Sequence, residues 1–434
     1  MKKIILLSGI LIFCLEIVSA QNKPDSTNTT SKPAKNCEQQ AVGDLFRKKD
    51  KKPKPPKKLS ALVLPNISSN PTNGFILGVG GAFGWRMGPK ENTNISAAPF
   101  TAAVTSKSQL ITFVKPNIYT KGNKFFLQCD WRFYIYSQPT YGLGTNAPDT
   151  LAVPEGGSWM GEGVGADSAL FPMKFNYIKL HQIVNKQIIK DLYAGIGYHF
   201  DYYYSIVDEK YRPATDSTPE METPHHSYST KQGFKTKDYM LSGLSLNVVY
   251  DTRDNQISPY KGYYANINYR INPTFLGSTK NSSSLWLEFR TYLSLSKKTA
   301  RNIIGFWAFG NFNLSGELPY LTLPALGDDQ RARSGRGYTN GRYRGKDLVY
   351  GEVEWRFPIT PCSKILGGVI FVNAVTTDNP YNPYRKVDLF EYIQPAVGFG
   401  VRVMVNKYFR TNINLDFAIG HKSSGFYFSG QETF

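Results

Sequence analysis

From residue 60 to the end, the chain alternates apolar and polar residues with a period of two. Across 125–135, Phe125, Leu127, Cys129, Trp131, Phe133 and Ile135 share one face, and Gln128, Asp130, Arg132 and Tyr134 share the other. Across 192–204, one face holds Leu192, Ala194, Ile196, Tyr198, Phe200, Tyr202 and Tyr204, with His199 and Asp201 opposite. Across 285–295, an apolar face stands against Trp286, Glu288, Arg290 and Tyr292. Such alternation predicts strands with one apolar and one polar face. A soluble sandwich would bury the apolar face, but its strands usually run five or six residues. These run about twice that length and carry ionised groups mid-strand, such as Asp130 with Arg132 and Glu352, Glu354 with Arg356. Tilted strands with lipid outside and a polar lumen satisfy both features.

Sixteen strands are predicted near 60–66, 73–87, 94–106, 108–119, 124–136, 172–184, 189–206, 238–251, 261–273, 283–296, 301–315, 346–358, 364–376, 391–405, 409–420 and 425–434. The long connections 137–171, 207–237, 316–345 and 377–390 all fall on one side, and turns at 120–123, 185–187 and 297–300 lie on the other. An even strand number with segregated loop lengths is the pattern of an outer-membrane barrel. The fold class predicted is all-β, a sixteen-stranded antiparallel transmembrane β-barrel. The chain ends in SGFYFSGQETF, and Phe426, Phe428 and Phe434 are read as a C-terminal strand signal.

Composition agrees. The 434 residues include 28 Tyr, 27 Phe and 38 Gly, too aromatic for a solvated coil. The only long apolar run, at 4–15, is too short for a transmembrane helix of about 20 residues. Lys2 and Lys3 precede that run, and Val18, Ser19 and Ala20 follow it, so 1–20 is predicted to be a cleaved signal peptide. Phe13 is too bulky for lipidation at Cys14. Cys37, Cys129 and Cys362 remain, too few and too scattered for a disulfide framework or a zinc site.

Residues 21–58 hold 11 Lys/Arg against 4 Asp/Glu, and 47–58 read RKKDKKPKPPKK. Like charges and proline favour an extended periplasmic tether. It supplies about +7 of the net charge of +18, enough to engage anionic lipid or an acidic periplasmic partner. Export argues against nucleic acid as the partner. The barrel is assigned to 59–434.

Two motifs narrow the reading. YDTRDNQISPYKG at 250–262 is a short-side turn in which Asp251, Arg253, Asp254, Pro259 and Gly262 carry the pattern. Arg336-Gly337-Tyr338 lies in the long connection 316–345, ahead of GEVEWRFP at 351–358. Taken in order, these motifs resemble the BamA/TamA family of outer-membrane barrels, the bacterial surface antigen family, over nearly all of 60–434. The resemblance implies a sixteen-strand barrel loosely zipped between its first and last strands. It also implies a sixth external loop folded into the lumen, with Arg336, Gly337 and Tyr338 as its tip. YGLGTN at 141–146 is similar to a Gly-rich element of that family. Two departures stand out: none of the family's POTRA modules fits into 21–58, and the wall position where the family often has Asp is Asn373. Another carboxylate is therefore expected to meet Arg336, and Glu352 and Glu354 share the lumenal face with Arg356.

The function this implies is an accessory component of outer-membrane protein assembly or translocation, lodged among outer-membrane lipids and other assembly or secretion components. The alternative is a passive pore or structural barrel. No cofactor, metal or catalytic group is expected. His225 and His226 near Glu220 and Glu222 lack ligand spacing, and no nucleophile–base arrangement is present.

Overall fold

A computed structural model describes residues 40–45, 59–70, 73–147, 171–296, 301–330, 332–360, 365–382, 385–407, 409–430 and 432–434. The predicted signal peptide, Cys14, Cys37, Cys362, the turn at 297–300 and all of the tether except 40–45 lie outside these residues.

The strands are β1 (Leu59–Asn70), β2 (Gly74–Trp85), β3 (Ser96–Thr105), β4 (Leu110–Val114), β5 (Asn117–Tyr119), β6 (Phe125–Thr140), β7 (Phe171–Ile189), β8 (Leu192–Asp208) and β9 (Tyr239–Asp251). They continue as β10 (Gly262–Asn272), β11 (Ser282–Ser294), β12 (Ile303–Gly316), β13 (Asp347–Pro358), β14 (Leu366–Thr377), β15 (Gln394–Asn406), β16 (Thr411–Gly420) and β17 (Ser423–Ser429). All belong to one antiparallel sheet, and each strand pairs with its neighbour in sequence. The exception is that β4 and β5 together occupy a single position between β3 and β6. Lys115 and Pro116 separate them, because proline cannot donate to the ladder. Seventeen segments therefore fill sixteen positions.

Burial follows the sequence alternation. Trp131, Phe133, Ile135, Ile196, Leu244, Leu246 and Ile370 are exposed on the outer surface, while Asp130, Arg132, His199, Asp201, Glu288, Arg290, Glu352 and Glu354 are buried inside. A water-soluble protein would invert this arrangement; a barrel in lipid requires it. Apart from β1 with β17, neighbouring strands hydrogen-bond one another along their length, as a spanning sheet must where no water reaches the backbone. The long connections β6–β7, β8–β9, β12–β13 and β14–β15 all lie on one side of the barrel, which also carries the short turns β1–β2, β3–β4 and β16–β17.

Four boundaries differ from the sequence reading. The β7–β8 turn falls at 190–191 rather than 185–187, because Asn185 faces inward and donates to Phe126 O (3.3 Å) and Gln128 Oε1 (3.1 Å). Asp191 then makes the turn with φ 64°. The first strand runs to Asn70, twelve residues, with Pro65 inside it. The last strand stops at Ser429, and the chain beyond turns into the lumen. Finally, Val42–Leu45 of the tether forms a short helix rather than extended chain, and Asp44 reaches Lys407 Nζ at 3.2 Å.

Candidate functional site: an internal loop on a charged wall

Connection 317–346, the sixth on the long-loop side, runs inside the barrel. Within it Leu321 and Leu323 are buried among wall residues such as Phe175, Tyr203 and Tyr239, and Leu326, Tyr338 and Tyr343 among Trp307, Phe309 and Tyr350. Arg336 sits at its tip, 4% exposed. Its guanidinium donates to Asp416 Oδ2 (2.7 Å) and bonds both Glu352 Oε1 and Glu354 Oε1. The planar group lies over the Phe371 ring, 3.4 Å from its centroid. A planar cation with five donors suits this setting, since several acceptors and a ring face are met at once.

Strand parity places those acceptors. Glu352 and Glu354 alternate on β13, Asp416 projects from β16, and Phe371 comes from β14 between them. The cluster extends further: Arg356 Nε donates to Glu354 Oε2 (2.7 Å), and Arg402 bonds Asp416 Oδ1 and donates to Glu432 Oε2 (2.8 Å). Three guanidinium groups and four carboxylates thus lock the loop, β13, β15, β16 and the C-terminal residues into one unit. Asn373, at the wall position where an acid was missing, donates to the Arg336 carbonyl at 3.0 Å. An amide serves there because the acceptor is backbone.

Gly337 permits the tip to sit down. Its φ is 103°, and a Cβ on it would lie 3.0 Å from Ala396 Cβ and 3.1 Å from Gly420 N. Its N–H donates to Tyr427 OH on β17 (2.9 Å). The Tyr338 hydroxyl bonds Pro395 O and accepts from His421 N (3.1 Å). The tip therefore touches β13, β15, β16 and β17 together. The Gly-rich stretch at 141–147 packs on the same loop: Gly144 N donates to Arg344 O (2.7 Å) and Arg342 to Ala147 O (3.0 Å).

The motif at 250–262 folds over the short-turn mouth. Arg253 grips Asp251 with two bonds of 2.8 Å, and Tyr119 OH donates to the same carboxylate (2.7 Å). Asp254 caps its own turn by accepting from Tyr260 N (3.0 Å), then pairs with Arg410 Nη1 at 2.7 Å on the β15–β16 turn. Gly262 has φ 107°, with its Cβ position 2.4 Å from Thr252 O. Pro259 lies within this turn.

The C-terminal aromatics separate. Phe426 is exposed on the outer surface, whereas Phe434 is fully buried in the lumen. Phe434 lies 5.5 Å from Trp307 and 6.0 Å from Tyr292, ring to ring, and its carbonyl accepts from Arg356 (3.0 Å). Its parity with Phe426 and Phe428 would have kept it facing lipid had the strand continued; it does not, because the chain leaves the ladder after Ser429. Sequence reasoning missed Asp416, Arg402 and Glu432. Asp416 and Arg402 were legible as inward parity on their strands, but nothing in the sequence marked the inward bend that brings Glu432 to them.

A closed antiparallel sheet with an apolar exterior, a charged lumen and an inserted loop defines an outer-membrane β-barrel. The Omp85 superfamily domain model matches residues 105–434, and the chain belongs to that superfamily. BamA from Haemophilus ducreyi lacking POTRA domains 1–3 aligns at 13% identity and a TM-score of 0.48, covering 86% of this chain and 69% of that one. CdiB from Acinetobacter baumannii aligns at 13% identity and 0.47, covering 85% and 59%. CdiB from Escherichia coli aligns at 9% identity and 0.49, covering 87% and 60%. The chain thus spans less than two thirds of either CdiB chain. No curated protein matches the sequence.

Proposed function

We propose that this chain is an accessory component of outer-membrane protein assembly or translocation, acting at the seam between β1 and β17. The observation that carries the reading is how little joins those two strands. β1 pairs with β2 along all twelve of its residues, whereas among the described residues its ladder with β17 holds the single pair Ser69↔Phe426. Continuing that register would set Pro65 opposite Gly430, and proline has no N–H to offer. Unpaired backbone at membrane depth is costly, so such an edge favours any strand that can complete it. An incoming strand could pair there as a template-guided addition.

In this reading, residues 1–20 direct export and are removed. The tether supplies contact with anionic lipid or an acidic periplasmic partner, and Arg336, Gly337 and Tyr338 hold the loop against the wall while the seam works. Chemistry at a catalytic centre plays no part. The test is reconstitution of the full chain in vesicles with an unfolded outer-membrane barrel as client. Acceleration of client folding, read by heat-modifiable mobility, is the expected result. Steady conductance with a fixed size cutoff and no acceleration would instead establish the passive-pore reading. The short-turn mouth argues against that outcome, because the 252–261 turn is tied across it to Arg410.

A further inference from the structure

Beside the unpaired part of the seam lies a cavity of about 130 Å³ whose lining includes Leu64, Pro65 and Asn66 of β1 and Phe428, Ser429 and Gly430 at the end of β17. These two segments would be ladder neighbours if the seam were zipped. Four cationic side chains line it, Lys115, Arg253, Arg290 and Arg333, and among the described residues no carboxylate does. The remaining wall combines aromatic rings with side-chain amides.

The cations differ in how they are neutralised. Arg253 is held by Asp251, and Arg290 by Glu288. Arg333 donates to the Glu432 carbonyl at 2.8 Å. Lys115 stands apart: it is 3% exposed, and its Nζ has no hydrogen-bond partner among the described residues. Its nearest aromatic neighbour is Phe113, with Nζ 4.5 Å from the ring centroid. Of the two acids in its neighbourhood, Asp130 is already gripped by Arg132 through bonds of 2.8 and 2.6 Å, and Asp329 accepts from Arg333 N (3.0 Å) and Ser334 N (2.8 Å). Lys115 is also the residue at which the fourth wall position breaks, between β4 and β5. Lys115 keeps the inward parity of Ile111 and Phe113, and its ammonium faces a cavity without an acid. A buried, unpartnered ammonium is unfavourable unless an anion meets it.

We propose that this cavity binds a phosphate group, with Lys115 as its principal ligand, and that the phosphate is the headgroup of an anionic lipid entering from the membrane through the unpaired seam. A headgroup in the cavity would leave its acyl chains beside Leu64, Pro65 and Phe428, where the wall is apolar and the ladder is absent. The inference goes beyond the assembly reading and does not depend on it.

The test uses the full chain, purified in mild detergent and exposed to mixed micelles of phosphatidylglycerol and phosphatidylcholine. Retained lipid is counted by native mass spectrometry. The wild type should retain phosphatidylglycerol in preference, and Lys115→Gln should lower that retention about tenfold, the loss expected for one charge-assisted contact. Lys190→Gln, on an exposed turn, should leave it unchanged. Heat-modifiable mobility reports whether each variant is folded; if Lys115→Gln is not, Lys115→Met is measured in its place with the same loss expected, and wild-type retention by a folded Lys115 variant would overturn the proposal. A second arm titrates inorganic phosphate and follows phosphorus NMR linewidths. Lys115-dependent broadening without any preference for phosphatidylglycerol would keep the phosphate site but overturn the membrane source. Equal retention of both lipids with no phosphate broadening would overturn the proposal.

Discussion

The two halves of the wall hold together by different means. From β12 to β16 the ladders are continuous, and an internal cluster of Arg336, Arg356 and Arg402 with Glu352, Glu354, Asp416 and Glu432 ties the strands to the inserted loop. Between β17 and β1 the described residues form one backbone pair. The last strand faces both regimes: its inner side holds the loop through Tyr427, and its other edge lies beside β1 with little ladder pairing. The C-terminal residues that could have lengthened that edge are committed to the cluster instead, through Glu432 and Phe434. Rigidity on one side and an unfinished edge on the other are therefore two results of the same inward bend.

The largest effect should come from the cluster. Arg336→Ala would leave three buried carboxylates without their shared cation. Breaking a buried pair typically costs about 3–5 kcal/mol, and water in the lumen places the expectation near the lower end. The barrel's unfolding temperature should fall clearly. Arg333→Ala should have a smaller effect, since Arg333 meets the cluster through a backbone carbonyl. Equal shifts for the two variants would dissolve the distinction between a central and a peripheral arginine.

Phe434→Ala should cost about 3 kcal/mol, the low end for truncating a buried Phe. It should also free the tail, seen as faster removal of the C-terminal residues by carboxypeptidase. Resistance equal to that of the wild type would mean Glu432 alone holds the tail. Gly337→Ala should destabilise by about 1–3 kcal/mol, because the left-handed φ is strained for a side chain and a methyl group would crowd Ala396 and Gly420. Its signature should be a loop cut more readily by protease in 317–346, with strand content unchanged by circular dichroism.

The smallest effect concerns the tether. Deleting 22–58 while keeping the signal sequence should leave insertion intact. The Asp44–Lys407 contact it removes is a partly exposed pair of the kind worth about 0–1 kcal/mol. Failure to assemble would make the tether a recruitment element.

Much of this architecture was legible in the sequence, and for one reason. A period of two fixes which residues face lipid, so strand count, loop sides and the inward placement of Glu352 and Glu354 could all be read from alternation. The bends were harder. Pro116 divides one strand position while Pro65 sits within an intact strand, although both lack the same donor; the difference lies in whether a neighbour needs that donor. Asn185 to Gln187 look like a turn but continue β7, because a lumen hides polar side chains as readily as a turn exposes them. The tail was read as strand because its aromatic spacing matched one. Nothing local in its sequence reveals that Arg356, Arg402 and Trp307 offer a better site inside.

If the seam opens for the protein to act, a reversible lock across it stops the protein. Ser69→Cys combined with Phe426→Cys joins the two residues that are backbone partners across the seam. Oxidised, this variant should lose its acceleration of client-barrel folding in vesicles, and reduction should restore it to the wild-type rate. A crosslinked protein as active as its reduced form would contradict the account.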